Sequence, residues 1–319
     1  MLNVYTHSER RILMKNTFKK WLAALTVVAL VLSVQTIAQA SSGDKNNEDS
    51  INEKYGSPIV VYGEALTPAQ KEETKKLLGV KANSVVEEMT STADDIVNYI
   101  KGDPRSNMYS SAKITRTDTG QGVIINQVTP ENITEVTDEM YANALLTAGI
   151  EEAIVDIASP VKVSGHSALV GIYKAYDQGE GTELDKDRTE VANEELNIAT
   201  SLAKKEGMDQ EKVTELLTEI KKEIADQNPA TKEDIQQIVD EQIKTLELQL
   251  SEEDRKLLYD LFERMRELNI NFENVKSQLE SLAKDVQSKI SDAVGDKGFL
   301  EAVSDFFSNL IDSIKGIFS

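Results

Sequence analysis

The chain has 319 residues, with 55 acidic against 35 basic side chains, a formal net charge of −20 and no cysteine. So negative a surface repels phosphate backbones and anionic headgroups, where affinity rests on Lys and Arg displacing counterions, and nucleic acid is excluded as a partner. Without thiols there is no disulfide, no thiolate nucleophile and no cysteine metal site, so stability must come from a packed core, for which the length is ample.

The first forty residues read as an export signal. A basic stretch with Arg10, Arg11, Lys15, Lys19 and Lys20 precedes the apolar run Trp21 to Val34. The small-x-small sequence Ala38-Gln39-Ala40 follows, which signal peptidase recognises through Ala38 and Ala40, and cleavage is expected after Ala40. The apolar run is shorter than the roughly 20 residues a membrane span needs. Met14 begins a complete signal of its own and is an alternative start. Removing the signal leaves 30 basic and 54 acidic side chains, a net charge of −24. The expected location is the medium or the cell-envelope surface, and a cysteine-free, Lys- and Glu-rich exoprotein fits a Gram-positive source.

Residues 41–57 are polar and aperiodic, a flexible leader. Residues 58–178 alternate short β-branched runs with amphipathic stretches, as an α/β domain does. Strands are expected at Ile59 to Tyr62, Ser84 to Met89 and Ala153 to Ala158. Ala112 to Arg116 and Gly122 to Val128 read as a hairpin turning at Thr119-Gly120. Helices are expected from Thr67 to Gly79, with Pro68 in the first turn, from Thr92 to Ile100, from Thr137 to Gly149, and from Gly165 to Tyr176 with Ser164 as cap. The caps at Thr67 and Thr137 lie 70 residues apart, and each opens a helix, a strand and a second helix, so the domain has the outline of a degenerate βαβα duplication.

Residues 179–189 form an acidic hinge, and 190–319 read as an all-helical bundle or arm, which makes the fold class α+β. Its helices are expected at Val191 to Lys205, Asp209 to Gln227, Thr231 to Leu250, Glu252 to Leu268, Asn271 to Val294 and Phe299 to Phe318. Phe272, Val275, Leu279, Leu282, Val286, Ile290 and Val294 recur at steps of three and four, which places them on one helical stripe needing cover.

The inventory for chemistry is thin. Past the signal there is a single histidine, His166, while a zinc site takes about three or four protein ligands. Gly165-His166-Ser167-Ala168-Leu169 departs from a nucleophile elbow because Leu169 stands where a small residue is required; the plainer reading is a helix start with His166 exposed in its first turn. Asp185-Lys186-Asp187-Arg188-Thr189 matches a phosphatase pattern but lacks the buried apolar strand before it. Asp177, Glu180, Glu183, Asp185 and Asp187 form a calcium candidate of millimolar strength at best, since Glu190 stands where a calcium loop of the EF-hand kind needs glycine. Ser201 with Lys204 and Ser281 with Lys284 fit S-x-x-K on ordinary amphipathic helices, without the accompanying K-T-G. Carboxylate pairs for sugar hydrolysis exist in number, but the sole tryptophan, Trp21, leaves with the signal and takes any Trp platform with it. No catalytic residue, cofactor or firm metal site is assigned.

The C-terminal stretch is the most apolar of the mature chain. Phe299, Val303, Phe306, Phe307, Leu310, Ile314 and Phe318 share it, and burying each is worth about 1.5–3 kcal/mol, so this face must dock on the bundle, a partner or a membrane. Glu301, Asp305 and Asp312 stand against Lys315 alone, which lacks the basic signature of an interfacial helix and favours docking on protein.

TDEMYANALLTAGI at Thr137 to Ile150, ASPVKVSG at Ala158 to Gly165 and ALVGIYKAY at Ala168 to Tyr176 resemble the central signature of the YpuA-like family of secreted Firmicute proteins, a domain of unknown function. YGEALT at Tyr62 to Thr67 and LLYDLFERMRELNINF at Leu257 to Phe272 resemble it too. The resemblance implies export and the overall architecture, and it brings no catalytic residues. The expected function is a secreted or envelope-associated, non-catalytic protein that binds another protein or a cell-wall component. The alternatives are an extracellular hydrolase acting on the wall through carboxylates and a peripheral membrane protein docking by its last helix.

Overall fold

Ile59, Val60, Val61 and Tyr62 are all apolar and all buried, so the first strand must be covered on both faces, and the sheet is built around it. A computed structural model describes residues 54–179 and 183–294, with side chains to 290. Its strands are β1 (Ile59–Gly63), β2 (Glu87–Ser91), β3 (Ser111–Arg116), β4 (Val123–Gln127) and β5 (Ala153–Ala158). The helices are α1 (Pro68–Leu77), α2 (Ala93–Ile100), α3 (Asp138–Ala148), α4 (His166–Gln178), α5 (Lys186–Leu202), α6 (Gln210–Gln227), α7 (Lys232–Thr245), α8 (Glu252–Glu267) and α9 (Lys276–Val294). A mixed sheet followed by a run of helices is an α+β fold.

The strand order is β2-β1-β3-β5-β4. β1 pairs parallel with β2 and β4 pairs parallel with β5, while β3 runs antiparallel to β1 and β5 between them. The expected hairpin of β3 and β4 does not form, because β5 is inserted between the two. The reason lies in burial: Ala153, Val155 and Ile157 are completely buried and need neighbours on both edges, whereas β4 alternates half-exposed and exposed residues and suits an edge. Glu152, just ahead of β5, accepts the amides of Gly120 and Gly122 at 2.7 and 2.6 Å, holding the turn after β3 against the strand that separates the two.

Both β1-α1-β2-α2 and β4-α3-β5-α4 are parallel pairs joined by a helix, the order the 70-residue offset outlines. The first steps outward from β1 to β2 and the second inward from β4 to β5. Val60 and Tyr62 pack on one face with Leu78 at the end of α1, while Ile59, Val61, Val155 and Ile157 look the other way into the main core.

Local signals set most helix ends. Thr67 caps α1 in a reciprocal box with Gln70, Thr92 does the same for α2 with Asp95, and Thr137 caps α3, which stops at Gly149 in the left-handed region. β2 begins at Glu87, three residues beyond the expected start. α5 begins at Lys186 with Asp185 as cap, so residues 186–189 of the acidic stretch are its first turn. The stripe on α9 and its approach is buried as far as side chains are described: Phe272, Val275, Leu279, Leu282, Val286 and Ile290 are covered, mainly against α6, and the Val294 side chain lies outside the described residues.

Every residue of α3 from Met140 to Ala148 is buried. A helix buried all round needs cover on every side, and the sheet supplies one side while α5, α6 and α9 supply the others. One apolar core therefore runs unbroken from Ile59 on β1 to Leu279 on α9.

Candidate functional site

The four mutually parallel strands end at one edge of the sheet, the place where open α/β sheets seat ligands. From the end of β5 the chain runs through 159–165 to α4, stitched to the 129–134 segment by Val163 N–H on Asn132 O at 2.8 Å, Thr134 N–H on Val163 O at 2.9 Å and Asn132 Nδ2 on Ser159 O at 2.8 Å. Gly165, with φ of 109°, is the N-cap of α4. A Cβ here would lie 2.7 Å from Tyr141 Oη and 2.8 Å from Ile133 Cγ2, so only glycine fits, and the Tyr141 hydroxyl donates to Gly165 O at 2.6 Å. Ser164 is therefore not the cap. No side chain caps α4, and its first turn opens onto a cleft of about 480 Å³.

The cleft lies between the end of α2, the irregular segment 102–109, the start of α4 and one face of α5. His166 is half-buried rather than exposed, because α5 passes over it. Its Nδ1 lies 3.2 Å from Ser164 Oγ and its Nε2 3.4 Å from Thr200 Oγ1. The Thr200 hydroxyl donates to Leu196 O at 3.0 Å, which leaves it to accept from Nε2–H and makes Nδ1 the acceptor for Ser164. Burial holds the imidazole pKa below its ordinary value, Lys204 adds to that and Glu135 opposes it, so the ring is neutral at pH 7.

Asn193 on α5 is 6% exposed and also lines the cleft. Its Nδ2 donates to Ile100 O at 3.5 Å, and its Oδ1 is buried without a partner. Such an orphan acceptor costs about 1–3 kcal/mol. Three charge pairs stand around the rim: Arg105 on Asp103, Lys101 on Glu190, and Lys204 on Glu135 at 2.9 Å. The cleft is thus neutral and dense in hydrogen-bonding groups, with Ile96, Ile100 and Val163 as its apolar part.

Residues 62–282 match the family described as "Protein of unknown function (DUF1002)". The chain belongs to this family. It is similar to "Uncharacterized protein YpuA" of Bacillus subtilis (strain 168), 31% identical over 304 residues that make up 94% of this chain and 99% of the relative. No solved structure matches.

Within this DUF1002 chain the structure does not bring the calcium candidates together as a free set. Asp177 accepts the Tyr99 hydroxyl at 2.7 Å, Asp185 is spent capping α5, and Glu180 lies outside the described residues. Among the described residues no group of three or more His, Asp or Glu side chains is placed to hold a metal ion, and no helix is long and apolar enough to cross a membrane. Ala38, Ala40, Phe299, Val303, Phe306, Phe307, Leu310, Ile314 and Phe318 lie outside the described residues. Ser281 Oγ donates to Ser277 O at 3.0 Å, an ordinary helical back-bond.

Two buried polar clusters stand apart from the cleft. Lys221 and Glu195 pair in the core with Asn143 and Thr147, and Glu215 on α6 faces α9, its carboxyl pushed up to about 7 by burial. Asn193 and Thr200 carry no signal in the sequence: each is one polar residue on an amphipathic helix, and only the fold carries them to the start of α4.

Proposed function

We propose that this DUF1002 protein is exported and binds a ligand in the cleft at the start of α4 without transforming it. The observation that carries the reading is the conjunction of an uncapped helix start and a buried, unpartnered Asn193 acceptor in one neutral cleft at the carboxyl edge of the sheet. His166 supports binding over catalysis, because both its ring nitrogens face hydroxyls, whereas an acyl-transfer histidine is oriented by a carboxylate. Export rests on the basic, apolar and small-residue order of the first forty positions, and makes an extracellular protein or a cell-wall component the natural partner.

The test is equilibrium dialysis of the purified protein against a cell-wall digest, with mass spectrometry of both compartments and, as the cleft-filling control, Asn197→Trp at an exposed lining residue on α5. A component concentrated on the protein side at unchanged mass, and released by Asn197→Trp, is the expected result. A component converted to new products would replace the binding reading with an enzymatic one. Mass spectrometry of the protein from culture medium should give an N-terminus at Ser41; full-length protein confined to the cytosol would remove export.

A further inference from the structure

Resting on the reading of the cleft as the binding site, its two walls make opposite and fixed demands. On one side, α4 begins without a cap, and Ser164, His166 and Ser167 of that turn line the cleft, so its amides seek an acceptor and its dipole favours negative charge. On the other, Ile100 O holds Asn193 Nδ2, which sets the carboxamide's orientation and leaves Oδ1 as an acceptor seeking a donor. A ligand satisfying both carries an anionic acceptor and an N–H or O–H donor.

Charge narrows the class. A phosphate dianion is best served by a free Lys or Arg, and three cations around the cleft, Lys101, Arg105 and Lys204, are each engaged with a carboxylate. A single carboxylate is served by helix amides and hydroxyls alone. A neutral sugar could accept from the amides but carries no charge for the helix dipole to favour. Ile96, Ile100 and Val163 supply apolar surface for a short side chain.

We propose that the cleft binds the C-terminal residue of a peptide or an N-acylated amino acid, with the carboxylate at the start of α4 and the amide N–H on Asn193 Oδ1. Oδ1 is closed to water, so seating the N–H requires a local shift of the cleft wall around Asn193.

Isothermal titration of the full mature chain tests this with three probes: N-acetyl-alanyl-alanine, its C-terminal carboxamide, and the depsipeptide with an ester in place of the last amide. The acid is expected to bind, with the carboxamide and the depsipeptide each weaker by about tenfold or more. Asn193→Leu should erase the gap between acid and depsipeptide while keeping that between acid and carboxamide, and Asn197→Trp should abolish all binding. Should Asn193→Leu fail to fold, the three probes on wild-type protein and Asn197→Trp still decide. Carboxamide or depsipeptide binding as tightly as the acid, or no binding of any probe, overturns the ligand class and leaves the cleft reading intact. Acid binding that survives Asn197→Trp puts the ligand elsewhere and overturns both.

Discussion

Lys221 Nζ lies 2.5 Å from Glu195 Oε1 at a place where the lysine side chain is 0% and the glutamate 2% exposed. Asn143 supplies two more acceptors to the ammonium, at 3.0 and 3.2 Å, and the Thr147 hydroxyl donates to Glu195 Oε2 at 2.6 Å. The pair ties α3, α5 and α6 together with nearly every lone pair and proton placed. Burial pulls the ammonium pKa down and Glu195 opposes it. Lys221→Met alone should cost about 3–5 kcal/mol, since it strands a buried carboxylate, whereas Glu195→Leu with Lys221→Met should recover most of that loss. Urea denaturation of the two variants measures it; a single variant as stable as the double would show that the pair is not coupled.

Glu215 gives the fold a pH dependence of known sign. Burial is the main cause of its raised pKa, Glu219 and Asp209 add to it, and Gln287 and Lys222 oppose it, carrying the group from an ordinary 4.5 to about 7. The folded state therefore binds the proton more tightly than the unfolded chain. The stability this contributes is fully present below the unfolded value and is lost as pH rises through about 7, by up to about 3 kcal/mol. Glu215→Gln should flatten the decline in melting temperature between about pH 5 and pH 8 and stabilise the protein at the upper end. An unchanged slope in the variant would assign the dependence to other groups.

Gly165→Ala tests the corner that opens α4. The new Cβ would sit 2.7 Å from Tyr141 Oη at a positive φ, and the combination should cost about 2 kcal/mol or more. Tyr141→Phe should cost about 1 kcal/mol through the lost bond to Gly165 O, read as a shift of the urea midpoint.

Glu152→Gln tests what keeps β3 and β4 apart. The carboxylate takes the Gly120 and Gly122 amides, and a carboxamide keeps only one accepting oxygen. A loss of about 1–2 kcal/mol is expected, with faster amide exchange at Gly120 and Gly122. Unaltered exchange at both would show the turn to be held by other contacts, such as Gln278 on Val123 N–H at 2.9 Å.

What was legible in the sequence is what is decided within a few residues. Thr67, Thr92 and Thr137 announce helix starts because a cap bonds an amide three positions on, and the α9 stripe shows because a helix repeats on itself. Strand partners are chosen over longer distances. β3 and β4 looked like neighbours because a glycine turn joins them, and the deciding property, the complete burial of Val155 and Ile157, belongs to a strand some 25 residues further on. The cleft was illegible for the same reason. Its polar groups come from segments around 102–109, 163–167 and 193–197, none of which carries a motif, and the shielding of His166 is done by a helix beginning 20 residues after it.

Because α3 is enclosed on every side, with the sheet as only one of its walls, the strands and the later helices are mutually dependent for solubility. A truncation ending near Gln178 would strip Leu145, Leu146 and Tyr141 of much of their shelter and present a sticky surface in its place, so the two halves should melt together and resist separate expression.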